Sequence, residues 1–395
     1  MTSSPESERS TVLSIKPEKL PKGTLHFDLS RYEGAMREAR RRNEAAYAFR
    51  EADRVPVAIP VGGSYFCWLF GRNIREYYTD LETNIRVQVA GFKWLFEELR
   101  DDRADCALYL ELGPTLEGFF FDCPIEYPDG TSPRIVPRLK TRQDILDLRV
   151  PDPETHPKVQ WAFERHEQFK ALAARIAPGV PVSRFSFRIH PPLSCACAIM
   201  DPVLVYQMFY TEPELLEIFF DKLLEAYIRL QDYCDKRNGT KATSLGLPDD
   251  NSAFISVDFY KRYVAPRLKI LYDRYGRDFR HLHADGPNDH LFPVIADYLK
   301  VSAMDIGGFS SIDAAVKAMK GKTVIEGNIN VKDLYGPFDD AARAKVRHMM
   351  RTAGPGGGYV FAIGGEAYVG VPRQTMIDMV SYAKRTGRYP ISIEE

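Results

Sequence analysis

The sequence predicts an α/β protein, a single (β/α)8 (TIM) barrel with extra N-terminal helices and loops over the barrel mouth. Eight short apolar runs recur between residues 56 and 363, and segments with helical periodicity separate most of them. Nearly every run stops at a glycine, proline, aspartate or asparagine. Strands that alternate with helices build a parallel sheet, and eight of them suffice to close a barrel. An open doubly wound sheet would carry a glycine-rich turn after its first strand, and Val61-Gly62-Gly63-Ser64 is too weak to serve.

Taken in order, residues 1–28 read as a polar, proline-containing arm, mobile at its tip, and residues 29–52 have helical periodicity. The predicted strands are 56–61, 106–112, 181–189, 242–247, 279–285, 301–306, 323–328 and 359–363. Predicted helices include 213–237, 259–275, 289–299, 312–319, 338–353 and 375–386. The long insertions 64–104 and 113–178 read as the helices and loops that cap the mouth. Neither a repeat nor a linker divides the chain, so residues 29–395 are taken as one domain.

Composition narrows the function. A hydrophobic content of 45% supplies a large core, and a net charge of -1 gives no electrostatic reason to expect a nucleic-acid or membrane partner. The basic run at 37–42 has Glu38, Glu44 and Glu51 in or just after it and reads as a solvated helix face. Six scattered cysteines make no disulfide framework, and no apolar run approaches the roughly 20 residues that span a bilayer. The expectation is a cytoplasmic protein with reduced thiols.

The stretch Phe279 to Asn288, F-R-H-L-H-A-D-G-P-N, carries the chemistry. Side chains alternate along a strand, so His281, His283 and Asp285 project to one side, which is costly in an apolar element unless something binds them. In a barrel the reactive groups sit at the C-terminal ends of strands. That rule selects Glu111, His190, Asp249, Asp250, His283, Asp285, Asn328 and Glu366. It demotes the glycine run 354–358, which lies between a helix and the next strand and reads as a helix C-cap turn. Arg188 and His190 near the end of the third strand, with Arg72, suit a substrate carboxylate or phenolate, and Trp68 suits an aromatic substrate. Asn328 could donate to a substrate carbonyl, with an Asx turn as the competing reading, and helix capping competes for Asp249 and Asp250.

Several motifs together resemble the uroporphyrinogen decarboxylase superfamily, which includes corrinoid-linked methyltransferases. They are H-A-D-G at 283–286, E-G-N-I-N at 326–330, the segment around the last strand at 356–372, D-R-V-P-V at 53–57 and the segment at 137–153. The resemblance spans nearly the whole chain from about residue 45 and itself implies a single (β/α)8 barrel. True decarboxylases of this family carry an arginine-rich turn after the first strand, whereas this turn is apolar and aromatic until Arg72. Glu111 and Glu366 stand where the family has an aspartate and a histidine, so turnover of a tetrapyrrole octa-acid is not expected.

The methyltransferase branch holds zinc through His-x-Cys-Gly and a later cysteine, to which His283, Asp285 and Glu366 correspond here. One imidazole and two carboxylates suit a divalent cation: zinc first, then manganese or iron. Cys195 and Cys197 are the alternative thiol ligands, although free cysteines usually pack. The resulting expectation is a metal-dependent, methyl-transferring enzyme acting on a small, methylated and potentially aromatic compound. No corrinoid-binding signature occurs, so the methyl carrier would be a thiol or a separate corrinoid protein. The alternative is a decarboxylase or lyase of a small carboxylate, in which His283, Asp285, Glu366 and Glu111 act as acid and base. Family likeness also implies a homodimer.

Overall fold

The computed structural model describes Leu20 and residues 22–391, so most of the arm expected at 1–28 lies outside the described residues. Five strands form one parallel sheet in sequence order. They are β3 (Ser244–Pro248), β4 (Phe279–His283), β5 (Ala303–Asp305), β6 (Val324–Ile329) and β7 (Tyr359–Ile363). A short antiparallel hairpin, β1 (Ile125–Glu126) with β2 (Arg134–Ile135), belongs to the second insertion.

The three earlier predicted strands are not full strands here. Val57 bridges Phe361 in parallel, and Leu108 bridges Val182 in parallel. Phe361 N donates to Pro56 O and Ala58 N to Phe361 O, at 2.9 and 3.0 Å. Pro56, Pro60 and Pro181 have no N–H to donate, so each ladder is cut to a single bridge. The sheet is thus shown for five of the eight predicted strands, with single parallel bridges at the rest.

Helices connect successive strands as the periodicity requires. Ser311 caps Ile312–Met319 through Ala314 N, and Asp339 caps Asp340–Ala353 through Ala342 N. The long helix Pro213–Asn238 buries Leu216, Phe219, Phe220 and Leu223 and stops at Gly239, whose φ is 62°. Two predicted helices are interrupted by π turns, at Tyr260–Val264 and Ile295–Leu299. Among the described residues, no helix is long and apolar enough to cross a membrane.

Register places the chemistry. Across the parallel strands His283 pairs with Asp305, Asp305 with Glu326, and Glu326 with Val360. One layer nearer the strand starts, Gly246, His281, Ala303 and Val324 line up. Because paired residues in a parallel sheet share a face, imidazoles and carboxylates stack on one side of it. The helix Glu33–Tyr47 covers the amino ends of these strands, with Ala46 in a small cluster with Ala303, Val324 and Val360. The glycine run 354–358 lies at the start of β7, where a Cβ on Gly357 would strike the Arg50 backbone at 2.6 Å. It is a packed turn on the stability face.

Candidate active site

His283 ends β4 and is fixed from behind. Its Nδ1 lies 2.9 Å from Asp305 Oδ2, and Asp305 Oδ1 accepts from Gly307 N at 3.1 Å. Nε2 is thereby left facing the turn after the strand, 3.6 Å from Asp285 Oδ1 and 3.7 Å from Asp250 Oδ1. Both separations exceed a hydrogen bond. Asp250 is itself held, since its Oδ1 accepts from Asp285 N at 2.8 Å. Asp285 Oδ1 is buried and has no hydrogen-bond partner among the described residues. Burial works against a charged imidazole here, but Asp285 and Asp305 outweigh it and push His283 up to about 11. A positive charge is what this cluster of carboxylates demands.

Ligand atoms of Asp250, His283 and Asp285 lie within 4.8 Å of one another, so these three could share one cation. The sequence reading gave the third position to Glu366, and Asp250 occupies it in that group. Glu366 stays beside them: burial raises its pKa, the His283 charge opposes this and Asp285 adds to it. Its carboxylate lies over the first turn, where a Cβ on Gly62 would sit 2.1 Å from Oε2. That turn is bare because a carboxylate fills the space a side chain would take. Gly365, at φ 83°, brings the backbone against Asp285 in the same way, leaving 2.6 Å between a hypothetical Cβ and Oδ1.

Glu111 forms a second acidic focus. Its Oε1 accepts from Gly113 N at 2.8 Å, yet burial, reinforced by Glu366, pushes it up to about 7. The sign follows from linkage: an acid whose folded pKa exceeds its ordinary 4.5 costs stability as pH rises from 4.5 towards 7. Glu111→Gln is therefore expected to flatten that stretch of the profile and to raise Tm above wild type at pH 8 but not at pH 4.5. Thermal melts across this range would refute the assignment if the two proteins ran parallel.

The other expected residues divide. His190 Nδ1 pairs with buried Glu117 at 2.7 Å, and Glu117, Asp250 and Asp249 raise its pKa against the effect of burial. Asp249 is buried, accepts from Ser194 and Ser252, and is pushed up to about 6 chiefly by burial. Asn328 Nδ2 is committed to Gly307 O and Ser310 O, while its Oδ1 is buried without a partner. Among the described residues Arg72 and Arg188 form no ion pair with the cluster; Arg188 is exposed and Trp68 packs on Tyr65. Cys195 and Cys197 are buried, and burial raises both thiols. His281 lies outside the group that could share a cation and is held by Glu326 at 3.0 Å.

Asp305 was missed, although M-D-I-G-G at 304–308 ends a predicted strand just as H-A-D-G does. A carboxylate that fixes a ligand imidazole typically contributes about 10–100-fold to metal affinity. Asp305→Asn should therefore weaken binding of zinc by about 10–100-fold while leaving the fold intact, as read by competition with a chromogenic chelator. An unchanged affinity would remove Asp305 from this role.

Comparison with known proteins supplies a family and a fold. The uroporphyrinogen decarboxylase (URO-D) family model matches residues 41–386. The chain belongs to this family. The uroporphyrinogen decarboxylase of Sodalis glossinidius is 24% identical over 258 residues, covering 62% of this chain and 69% of that protein. That of Psychromonas ingrahamii is also 24% identical, over 355 residues, covering 82% and 90%. Among solved structures, a methyltransferase from Methanosarcina mazei superposes with a TM-score of 0.64 at 18% identity, covering 88% of this chain and 98% of its own. At that identity the likeness speaks for the fold. The matched span, residues 41–386, contains the five-stranded sheet and the residues of the strand-end cluster.

Proposed function

We propose that this URO-D family member is a metal-dependent, methyl-transferring enzyme, acting on a small methylated compound with a thiol or a separate corrinoid protein as methyl carrier. The observation that carries the reading is the aim of His283: Asp305 occupies Nδ1, and Nε2 is turned towards Asp250 and an unpartnered Asp285 oxygen. An imidazole with two carboxylates fits zinc, manganese or iron. A bound divalent cation would act there as a Lewis acid, polarising a thiol or substrate oxygen. Asp250, His283 and Asp285 would hold it, Asp305 would orient the imidazole, and Glu366 and Glu111 would take up or release protons beside it. The fold we propose behind this is a closed (β/α)8 barrel, favoured by the parallel bridges at Val57 and Leu108.

The second reading is decarboxylation of a small carboxylate. It is favoured by Glu111, pushed up to about 7 and therefore able to act as a general acid near neutrality. Tetrapyrrole turnover is disfavoured, because the first turn offers no cation before Arg72. Incubation of purified protein with methylated aromatic and aliphatic compounds and a thiol acceptor, and separately with small carboxylates, tests the choice. Methyl transfer that stops on chelation supports the first reading; carbon dioxide release that survives chelation replaces it with the second.

A further inference from the structure

A cavity of about 430 Å³ opens towards the amino-terminal end of the sheet, away from the strand-end cluster. Its walls come from the helix Glu33–Tyr47, from residues 101–105 and from the inner face of β5, β6 and β7. Small side chains, Ala58 and Ala362 among them, leave the space. Its polar lining is lopsided: Asp101, Asp102, Asp105, Asp305 and Glu326 line it with a single guanidinium, Arg103, and of these Asp102 is taken up by Arg54 and Arg42. Glu326 is held by His281 and Tyr47, and Asp305 by His283. Asp101 shares only one oxygen, accepting from Arg103 at 3.1 Å and from Ile59 N at 3.0 Å.

Among the described residues, three that line it also keep a buried polar atom without a partner: Asn43 Oδ1, Asp101 Oδ1 and Arg103 Nε. The Asp101 side chain is only 1% exposed. Buried polar atoms are nearly always paired, and each exception needs an explanation. Two orphaned acceptors and one orphaned donor around one cavity specify an occupant with N–H groups, positive charge and one acceptor of its own.

We propose that this cavity binds a small organic ammonium compound carrying a hydroxyl or carbonyl. The ammonium donates to Asn43 and Asp101, with Asp105 adding long-range attraction, and the ligand oxygen accepts from Arg103. Asp305, which lines this cavity, also holds His283 of the candidate active site. Its ligand is chosen by charge, and that is measurable.

Calorimetric titration of the full chain with 4-aminobutan-1-ol tests it, with butane-1,4-diol as the neutral counterpart. The amino alcohol should bind at one site per chain and the diol should not. Asp101→Asn should weaken binding by at least about tenfold. Asp105→Asn, at an exposed position, should weaken it by about two- to fivefold. No binding of the amino alcohol, equal binding of the diol, or unaltered affinity in Asp105→Asn would each overturn the proposal. So would saturation by magnesium chloride in place of the amine.

Discussion

His283→Ala should leave a folded protein that no longer retains a divalent metal, where wild type purifies with close to one ion per chain. The imidazole is the sole nitrogen in the group that could share an ion, and the two carboxylates left would repel each other across the gap. Loss of a direct ligand should exceed the roughly 10–100-fold effect of losing an outer partner, so zinc affinity should fall by more than about 100-fold. Elemental analysis gives the stoichiometry, chelator competition the affinity, and far-ultraviolet circular dichroism the fold. Equal metal content in the two proteins would move the ion elsewhere. Metal-free wild type would end the metal reading altogether and leave His283 as a proton donor among acids.

The second large effect is on stability. Asp102 is almost fully buried and accepts from Arg54 at 2.5 and 2.7 Å, from Val57 N at 2.7 Å and from Arg42 at 3.2 Å. This pair ties the run before the first predicted strand to the residues before the second. Asp102→Ala would strand the buried Arg54 charge and should destabilise the protein by about 3–5 kcal/mol. The double change Arg54→Met with Asp102→Leu should recover only part of that, because Val57 N still loses its acceptor at a cost of about 1–3 kcal/mol. Urea unfolding of the three proteins gives both numbers. A loss under about 1 kcal/mol for Asp102→Ala would mean that Arg54 reaches water more readily than its burial implies.

Much of the architecture was legible because local rules and tertiary demands agreed. Apolar runs such as Y-V-F-A-I at 359–363 have one solution, a strand buried on both faces, and β7 is buried throughout. The helix capped by Ser311 begins at Ile312 as the sequence places it, and the one capped by Asp339 begins at Asp340, two residues later than predicted. The first three strands were legible only as extended segments. Their prolines satisfy the pattern of an apolar run but remove the donors that a continuous ladder requires.

The site was read less completely. His283 and Asp285 were found because period two and the strand end both single them out. Glu366 and Asp250 lie in different loops, and nothing in their spacing tells which carboxylate comes closer to the imidazole. Asp305 obeyed the same strand-end rule and was passed over for want of a neighbouring motif.

What the sequence alone determined is therefore the alternation of strands and helices, and the strand on which His283 sits, since both follow from periodicities of two and 3.6 residues. Tertiary structure decided the partners. Asp305 and Asp250 reach His283 only because parallel register and the neighbouring turn bring residues 22 and 33 positions away within 4 Å, a distance no local pattern encodes.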